Sequence, residues 1–385
     1  MIRILTLIGA RPQIIKAAAI SRAIRTHFSG ELREILVHTG QHYDERMSDI
    51  FFGELEIPHP DANLHIGSGG HGMQTGAMMA KIEEQIHLHK PDAVLVYGDT
   101  NSTLAGALAA SKLHVPVIHI EAGLRSFNKR MPEEINRICC DHVSTLLFCP
   151  TQTAVRNLQH EGFSIENLPG RRASLDAPEV IHCGDVMFDN SLYFAQRHSG
   201  DAYLEKLDLK GRPFYLATVH RNNNTDDPKR LNALFRAFFS IYDACGIPFV
   251  LPIHPRTEKV LQHNLQPELL HRLERNEAVR IVDPASFLEM IALEKAAEMI
   301  FTDSGGVQKE AYFFEKPCII LRSETEWVEV VEQGCARVCD ADEQAIERAW
   351  MHFTENKGRL SFPPLFGDGH AAEAICAIIL RTLRR

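Results

Sequence analysis

Between Ile120 and Arg137 the chain reads IEAGLRSFNKRMPEEINR, directly after the apolar run VPVIHI. Glu121, Glu133 and Glu134 are interleaved there with Arg125, Lys129, Arg130 and Arg137. Carboxylates set among cations suit proton transfer coupled to departure of an anionic leaving group. A solvated charged face is the plain alternative. Against it, Glu121 ends a strand-like run and Pro132 stands where a helix would begin. Glu133 then falls in the first helical turn with Arg137 one turn on and on the same face, and Glu134 is read as surface.

A second stretch, TDSGGVQKEA, is built for an anion. A strand ends at Asp303, Ser304-Gly305-Gly306 makes a bare-backbone turn, and a helix follows whose free N–H groups and dipole favour phosphate. Glu310 lies about one turn further along, where a carboxylate can accept from ribose hydroxyls. The one G-x-G-x-x-G match, GSGGHG at residues 67–72, follows no β-branched strand-like run, and the P-loop pattern does not occur, which favours a nucleotide diphosphate over nicotinamide or ATP. Twenty histidines form no H-E-x-x-H pattern, so no metal is expected. A nucleophile elbow G-x-S-x-G is also missing.

Parallel sheets must position these residues. Short β-branched runs alternate with helical patterns: IRILTLIG, EILVHTG, AVLVYGD, PVIHIEAG and LLFCPT, then FYLATVH, PFVLPIHP, VRIVDP, EMIFTDSGG and PCIILR. That rhythm predicts an α/β chain of two Rossmann-like doubly wound domains. ENLPGRRASLDAPEVIHCGDVMFD reads as the linker, dividing the chain into residues 1–183 and 184–367. Ligands bind outside the carboxyl ends of parallel strands. Those ends carry Arg11, Asp99 and Glu121 in the first half, and His220, His254, Asp283, Ser304 and Arg322 in the second. Facing each other, the two sets would line one interdomain cleft.

Composition limits the rest. At 385 residues with 45% hydrophobic content the chain has core enough for two domains. A net charge of −9 with dispersed Lys and Arg argues against a nucleic-acid or anionic-membrane surface. Nine cysteines without C-x-x-C pairing read as reduced thiols, so a cytoplasmic location is expected. MIRILTLIGARPQ is too short an apolar run for a signal peptide or span and reads as a first strand.

GARPQIIKAA, VYGDTNSTLAGALAA, HIEAGLRS, MPEEINR, GDVMFD, ATVHRNNNTDD and TDSGGVQKEA occur in the order and spacing of the bacterial UDP-N-acetylglucosamine 2-epimerase family, which the chain resembles over nearly its whole length. RPQIIKAA, TGQHYDERMS, VYGDTNSTLAGALAASKLHVP and TEWVE are most similar to the branch that epimerises UDP-2,3-diacetamido-2,3-dideoxy-glucuronic acid. The resemblance implies a glycosyltransferase-B-like fold whose helix at about 368–385 packs back on the first domain. It implies elimination of UDP to a glycal-like intermediate and re-addition with protonation on the opposite face. By motif position Asp99, Glu121 and Glu133 are the carboxylates, with the individual steps left open among them. Arg11, Lys16 and His220 would contact the leaving group, and Ser304, Gly305, Gly306 and Glu310 would cradle the nucleotide. Arg137, His254 and Met290 complete the expected substrate contacts. The expected partners are a UDP-sugar and a second copy of the chain in a homodimer, with no cofactor.

The match has departures. Met290, with Phe287 one turn before it, stands where many members place an aromatic over uracil, and Trp327 replaces an arginine after TE. GQHYDERMS and GGHGMQTG differ from segments that bind a regulatory second substrate in some members, so no allostery is expected. The loop from Arg125 to Arg130 supplies two arginines and Lys129 for a sugar C6 carboxylate.

Overall fold

The computed structural model describes residues 1–41, 52–166, 173–253, 255–275 and 277–384. The first strand, Ile2–Ile8 (β1), is buried over its last five residues, as a strand covered on both faces by helices must be. In chain order it is followed by Leu32–His38 (β2), Ala62–Asn63 (β3), Ala93–Tyr97 (β4), Val117–Ile120 (β5), Leu146–Cys149 (β6) and Glu179–His182 (β7). The second set is Tyr215–Thr218 (β8), Phe249–Pro252 (β9), Val279–Val282 (β10), Met299–Thr302 (β11), Cys318–Ile320 (β12) and Ala336–Val338 (β13). The helices that bear on the site are Arg11–Ala23 (α1), Asn101–Lys112 (α2), Pro132–His142 (α3), Phe287–Ala296 (α4), Gly305–Phe313 (α5) and Ala371–Leu383 (α6).

Two compact units result, Met1–Asn190 with Pro364–Arg385, and Ser191–Pro363. The first holds a parallel sheet in the order β3-β2-β1-β4-β5-β6-β7, and the second one in the order β10-β9-β8-β11-β12-β13. The α/β reading with two parallel sheets is borne out. In both sheets the strand order reverses beside the first strand of the set, so the switch points lie between β1 and β4 and between β8 and β11. A crevice opens at such a point because the connections leave toward opposite faces.

Three strands escape the sequence pattern. β7 falls inside the segment read as linker, of which residues 167–172 lie outside the described residues. It buries one residue of four, so it has no continuous apolar run to announce it. β3 is two residues long, and β13 is exposed over its last two.

α6 returns to the first unit. Its amphipathic face of Ala372, Ile375, Cys376, Ile379 and Leu380 is buried, it packs against α1, and the N–H groups of Ala371 and Ala372 donate to the Asp189 carboxylate at 3.2 and 2.7 Å. Among the described residues no helix is long and apolar enough to cross a membrane.

Candidate active site

The β1–β4 switch point is fastened by one buried side chain. The Gln13 carbonyl accepts from the N–H groups of Gly9 and Ala10 at 2.9 and 3.1 Å, and its amide donates to the Tyr97 carbonyl at 3.0 Å and the Thr103 hydroxyl at 2.9 Å. This fixes the start of α1 against the end of β4. Arg11, the first residue of α1, is exposed there, and one turn on Lys16 is buried. The Lys16 ammonium meets Glu121 Oε1 at 2.5 Å. Glu121 adopts a left-handed backbone, φ 72°, a conformation costly for any residue with a Cβ. Its N–H donates to the Phe148 carbonyl at 3.1 Å, which turns the carboxylate back toward β4. Gly98, also left-handed, lies against this pair: a Cβ there would stand 3.2 Å from the Lys16 ammonium and 3.3 Å from the Glu121 carboxylate.

Asp99 follows. Its carboxylate accepts from Arg137 Nη1 at 2.5 Å and keeps 31% of its side chain open. Desolvation raises its pKa, Arg137 and Lys16 oppose the rise, and the charges of Glu121 and Glu133 add to it. A carboxyl pushed toward neutrality is suited to exchanging a proton near neutral pH. Asp99, Glu121, Lys16 and Arg137 are thus one cluster. Glu133 is exposed in the first turn of α3 and reaches it through its charge.

Two expectations are corrected. Glu134, read as surface, is 1% exposed, and it rather than Glu133 pairs with Arg137, at 2.9 Å. The cause is the preceding loop, which folds over the start of α3. Phe127 takes φ 57°, and the N–H groups of Ser126 and Phe127 both donate to Glu134 at 2.9 Å. Burial would raise the Glu134 pKa, but these donors and Arg137 hold it below the usual value. Helical spacing alone cannot say which face a returning loop will cover.

Arg125 is the second correction. It is buried, with its guanidinium on Asp141 at 2.7 Å and on Glu161 at 2.6 Å, so it is spent inside the unit. Lys129 and Arg130 remain exposed. Asp141 also accepts from His119 Nδ1 at 2.7 Å, and His119 Nε2 donates to the Gly98 carbonyl at 2.8 Å. A carbonyl and a carboxylate can only accept, so both ring nitrogens carry protons and His119 is an imidazolium. Burial opposes that charge, but Cys140 and the bond to Asp141 keep the pKa well above the usual value. The imidazolium holds Gly98, and through it the backbone of Asp99.

In the second unit, Asp303 sits at the β8–β11 switch point with no exposure. It accepts from the backbone N–H groups of His220 and Arg221, from the Asn224 amide, and from His220 Nδ1 at 3.0 Å. Burial works against ionisation, yet these donors lower its pKa. With Nδ1 bound to Asp303, His220 presents Nε2 outward from a half-exposed ring. Ser304 caps α5 without a side-chain hydrogen bond, so the first N–H groups of the helix are not consumed by it. Glu310 lies one turn on and is partly exposed. Met290 is half-buried in α4, while Phe287 is buried with its ring edge-on to Phe194 at 5.9 Å. Trp327 is buried with the Lys309 ammonium 4.6 Å from its ring centre. His254 lies outside the described residues, as does most of GQHYDERMS.

The two glycines differ. A Cβ on Gly305 would run into the Glu326 carboxylate, which is ion-paired with Arg322 at 3.0 Å. A Cβ on Gly306 would meet nothing closer than 3.9 Å. Gly306→Ala should therefore keep the wild-type melting temperature yet bind UDP about tenfold or more weakly, the value of roughly one hydrogen bond to a charged group. Calorimetric titration with UDP checks this, and unchanged affinity would remove the turn from the nucleotide site.

Known proteins share this fold. A family model described as UDP-N-acetylglucosamine 2-epimerase matches residues 25–380. The UDP-2,3-diacetamido-2,3-dideoxy-D-glucuronate 2-epimerase of Pseudomonas aeruginosa is 49% identical over 98% of this chain and 99% of its own. The UDP-N-acetylglucosamine 2-epimerase of Methanocaldococcus jannaschii is 40% identical over 97% of both chains. A crystal structure of a Methanocaldococcus jannaschii UDP-GlcNAc 2-epimerase in complex with UDP-GlcNAc and UDP superposes with a TM-score of 0.84 at 38% identity, covering 99% of this chain and 100% of that one. With the family model spanning most of the chain and these likenesses running end to end, the protein belongs to the UDP-N-acetylglucosamine 2-epimerase family and is an isomerase, a UDP-sugar 2-epimerase.

Proposed function

We propose that the chain inverts C2 of UDP-2,3-diacetamido-2,3-dideoxy-glucuronate, supplying a precursor for cell-surface polysaccharide such as lipopolysaccharide O-antigen. The observation that carries this substrate is the 49% identity to the Pseudomonas aeruginosa enzyme of that name. The C2 hydrogen is not next to a carbonyl, so deprotonation needs help from the neighbouring bond. The C2–H pair becomes the C1=C2 bond while the C1–O bond breaks, its electron pair leaving on the diphosphate of UDP. The proton passes to a carboxylate. Re-addition of UDP at C1, with a proton delivered to the other face of C2, gives the manno isomer.

Asp99, Glu121 and Glu133 are assigned the proton steps, and the raised pKa of Asp99 supports its place among them. Arg137 orients Asp99. Arg11, Lys16 and His220 offset charge on the departing diphosphate. The turn Ser304-Gly305-Gly306 takes phosphate, Glu310 the ribose hydroxyls and Met290 the uracil. Lys129 and Arg130 are the loop cations left to attract a C6 carboxylate.

Turnover in deuterated water tests the chemistry. Product UDP-sugar should carry one deuterium at C2 by mass spectrometry, with UDP still attached. Retention of the original hydrogen would end the elimination reading, and stoichiometric release of UDP would mark a hydrolysing enzyme. Rates measured side by side decide the sugar: UDP-N-acetylglucosamine turned over as efficiently as the diacetamido uronate would overturn the narrower substrate.

A further inference from the structure

We infer that Glu294 is a positioning residue for Glu310: it stands as a neutral carboxylic acid whose O–H donates to the Glu310 carboxylate and fixes it for the vicinal hydroxyls of a ribose. This rests on the nucleotide reading of Glu310 proposed above.

Glu294 belongs to α4, which packs against α5, the helix that carries Glu310. It is 1% exposed, among Ile291, Ala292 and Leu293, and among the described residues neither of its oxygens meets an N–H or O–H donor. The group its carboxyl faces within hydrogen-bonding contact is the carboxyl of Glu310. Two carboxyl groups in such contact cannot both ionise, because each would present only acceptor oxygens of like charge. One proton must lie between them. It resides on the deeper group, since an unpaired carboxylate is far costlier in the interior than at the partly exposed Glu310. Burial and the Glu310 charge both raise the Glu294 pKa, in keeping with this assignment.

The pair sits beside the proposed phosphate turn. Glu310 Oε2 and Ser304 Oγ both lie 3.9 Å from the point a Cβ on Gly306 would occupy. Tied to Glu294, the Glu310 carboxylate is held in one plane, as recognition of a vicinal diol requires. An apolar residue at 294 would cost the unit less to bury, so the acid contributes orientation rather than stability.

Calorimetric titration of UDP and 2′-deoxy-UDP into wild type, Glu294→Gln, Glu294→Leu and Glu310→Gln tests the inference. Glutamine keeps an N–H donor toward Glu310 and should bind UDP within about threefold of wild type. Leucine should bind UDP roughly tenfold more weakly, the value of one hydrogen bond to a charged group, and lose most of the preference for UDP over the deoxy nucleotide. In turnover its KM should rise more than kcat falls, and its melting temperature should be at or above wild type. Infrared difference spectra of wild type should show a protonated carboxyl stretch at neutral pH that vanishes in Glu294→Gln, a reading independent of whether Glu294→Leu folds. Equal losses in the Gln and Leu variants, a wild-type nucleotide preference in Leu, or no such stretch would overturn the role of Glu294. Glu310→Gln binding UDP like wild type would instead overturn the ribose reading itself, and the inference with it.

Discussion

Asp99→Asn is expected to lower kcat by roughly 10²- to 10⁴-fold, the range for loss of a general acid or base, while UDP binding and the melting temperature hold. The structure makes this the cleanest of the carboxylate variants. Asp99 is partly open, and Arg137 keeps its second partner, Glu134, when Asp99 loses its charge. Glu121→Gln should lose turnover as well. It also leaves the buried Lys16 ammonium without its carboxylate partner, costing roughly 3–5 kcal/mol, so lost activity and lost stability arrive together there. Glu133 is exposed and raises the Asp99 pKa by its charge; Glu133→Gln should lose turnover and move the Asp99 limb of the pH–rate profile toward acid. The measurement is interconversion of the two UDP-sugars by NMR across pH, beside thermal melting. Asp99→Asn turning over at near wild-type rate would remove Asp99 from the proton steps.

Asp141→Ala should destabilise the first unit by roughly 3–5 kcal/mol, because it strands a buried cation. Arg125 would keep Glu161, but His119 would hold a charge with no carboxylate at all. At about 2–4 °C per kcal/mol for a domain of this size, the melting temperature should fall by roughly 10 °C. The difference from wild type has a definite pH profile. The His119 pKa is raised on folding, so its contribution is complete below the unfolded value near 6.5 and is lost as pH rises through the folded one. The Asp141 pKa is lowered by His119 and Arg125 against the effect of burial. Its contribution is complete above the unfolded value near 3.9 and is lost as pH falls through the folded one. The gap between wild type and variant should therefore be widest between those limits and narrow on both sides. A melting temperature unchanged at neutral pH would mean that His119 is neutral and the network carries no charge pair.

Residues at strand ends were legible because a parallel strand closes with an apolar run and its next polar residue falls in the crevice: Asp99 after AVLVYG, Glu121 after VIHI, His220 after YLATV. Residues that hold them were not. His119 sits inside an apolar strand run, and a titratable group there must have a partner; its partner Asp141 is 22 positions away on α3, a distance no local spacing encodes. Asp303 was visible only as a strand terminus, although four donors converge on it across the switch point. Glu134 was misread because a helix fixes which residues share a face, whereas the tertiary path of the 125–131 loop decides which face is covered. Glu294 carries no local signal, since its relation to Glu310 exists only once α4 and α5 pack.

The return of α6 to the first unit has a consequence for the order of synthesis. Ser191–Pro363 emerges from the ribosome before α6 does, so at about 5–20 residues per second the first unit waits on the order of ten seconds for a helix it needs. During that interval the face of α1 that α6 covers is bare, and Asp189 has no helix N–H groups to accept from. Ser191–Pro363 is contiguous and can close on itself first, which reverses the usual vectorial order. The unit that holds Asp99 and Glu121 is thus completed second, and the nascent chain carries a bare helix face that chaperones, or neighbouring chains on the same message, have time to find.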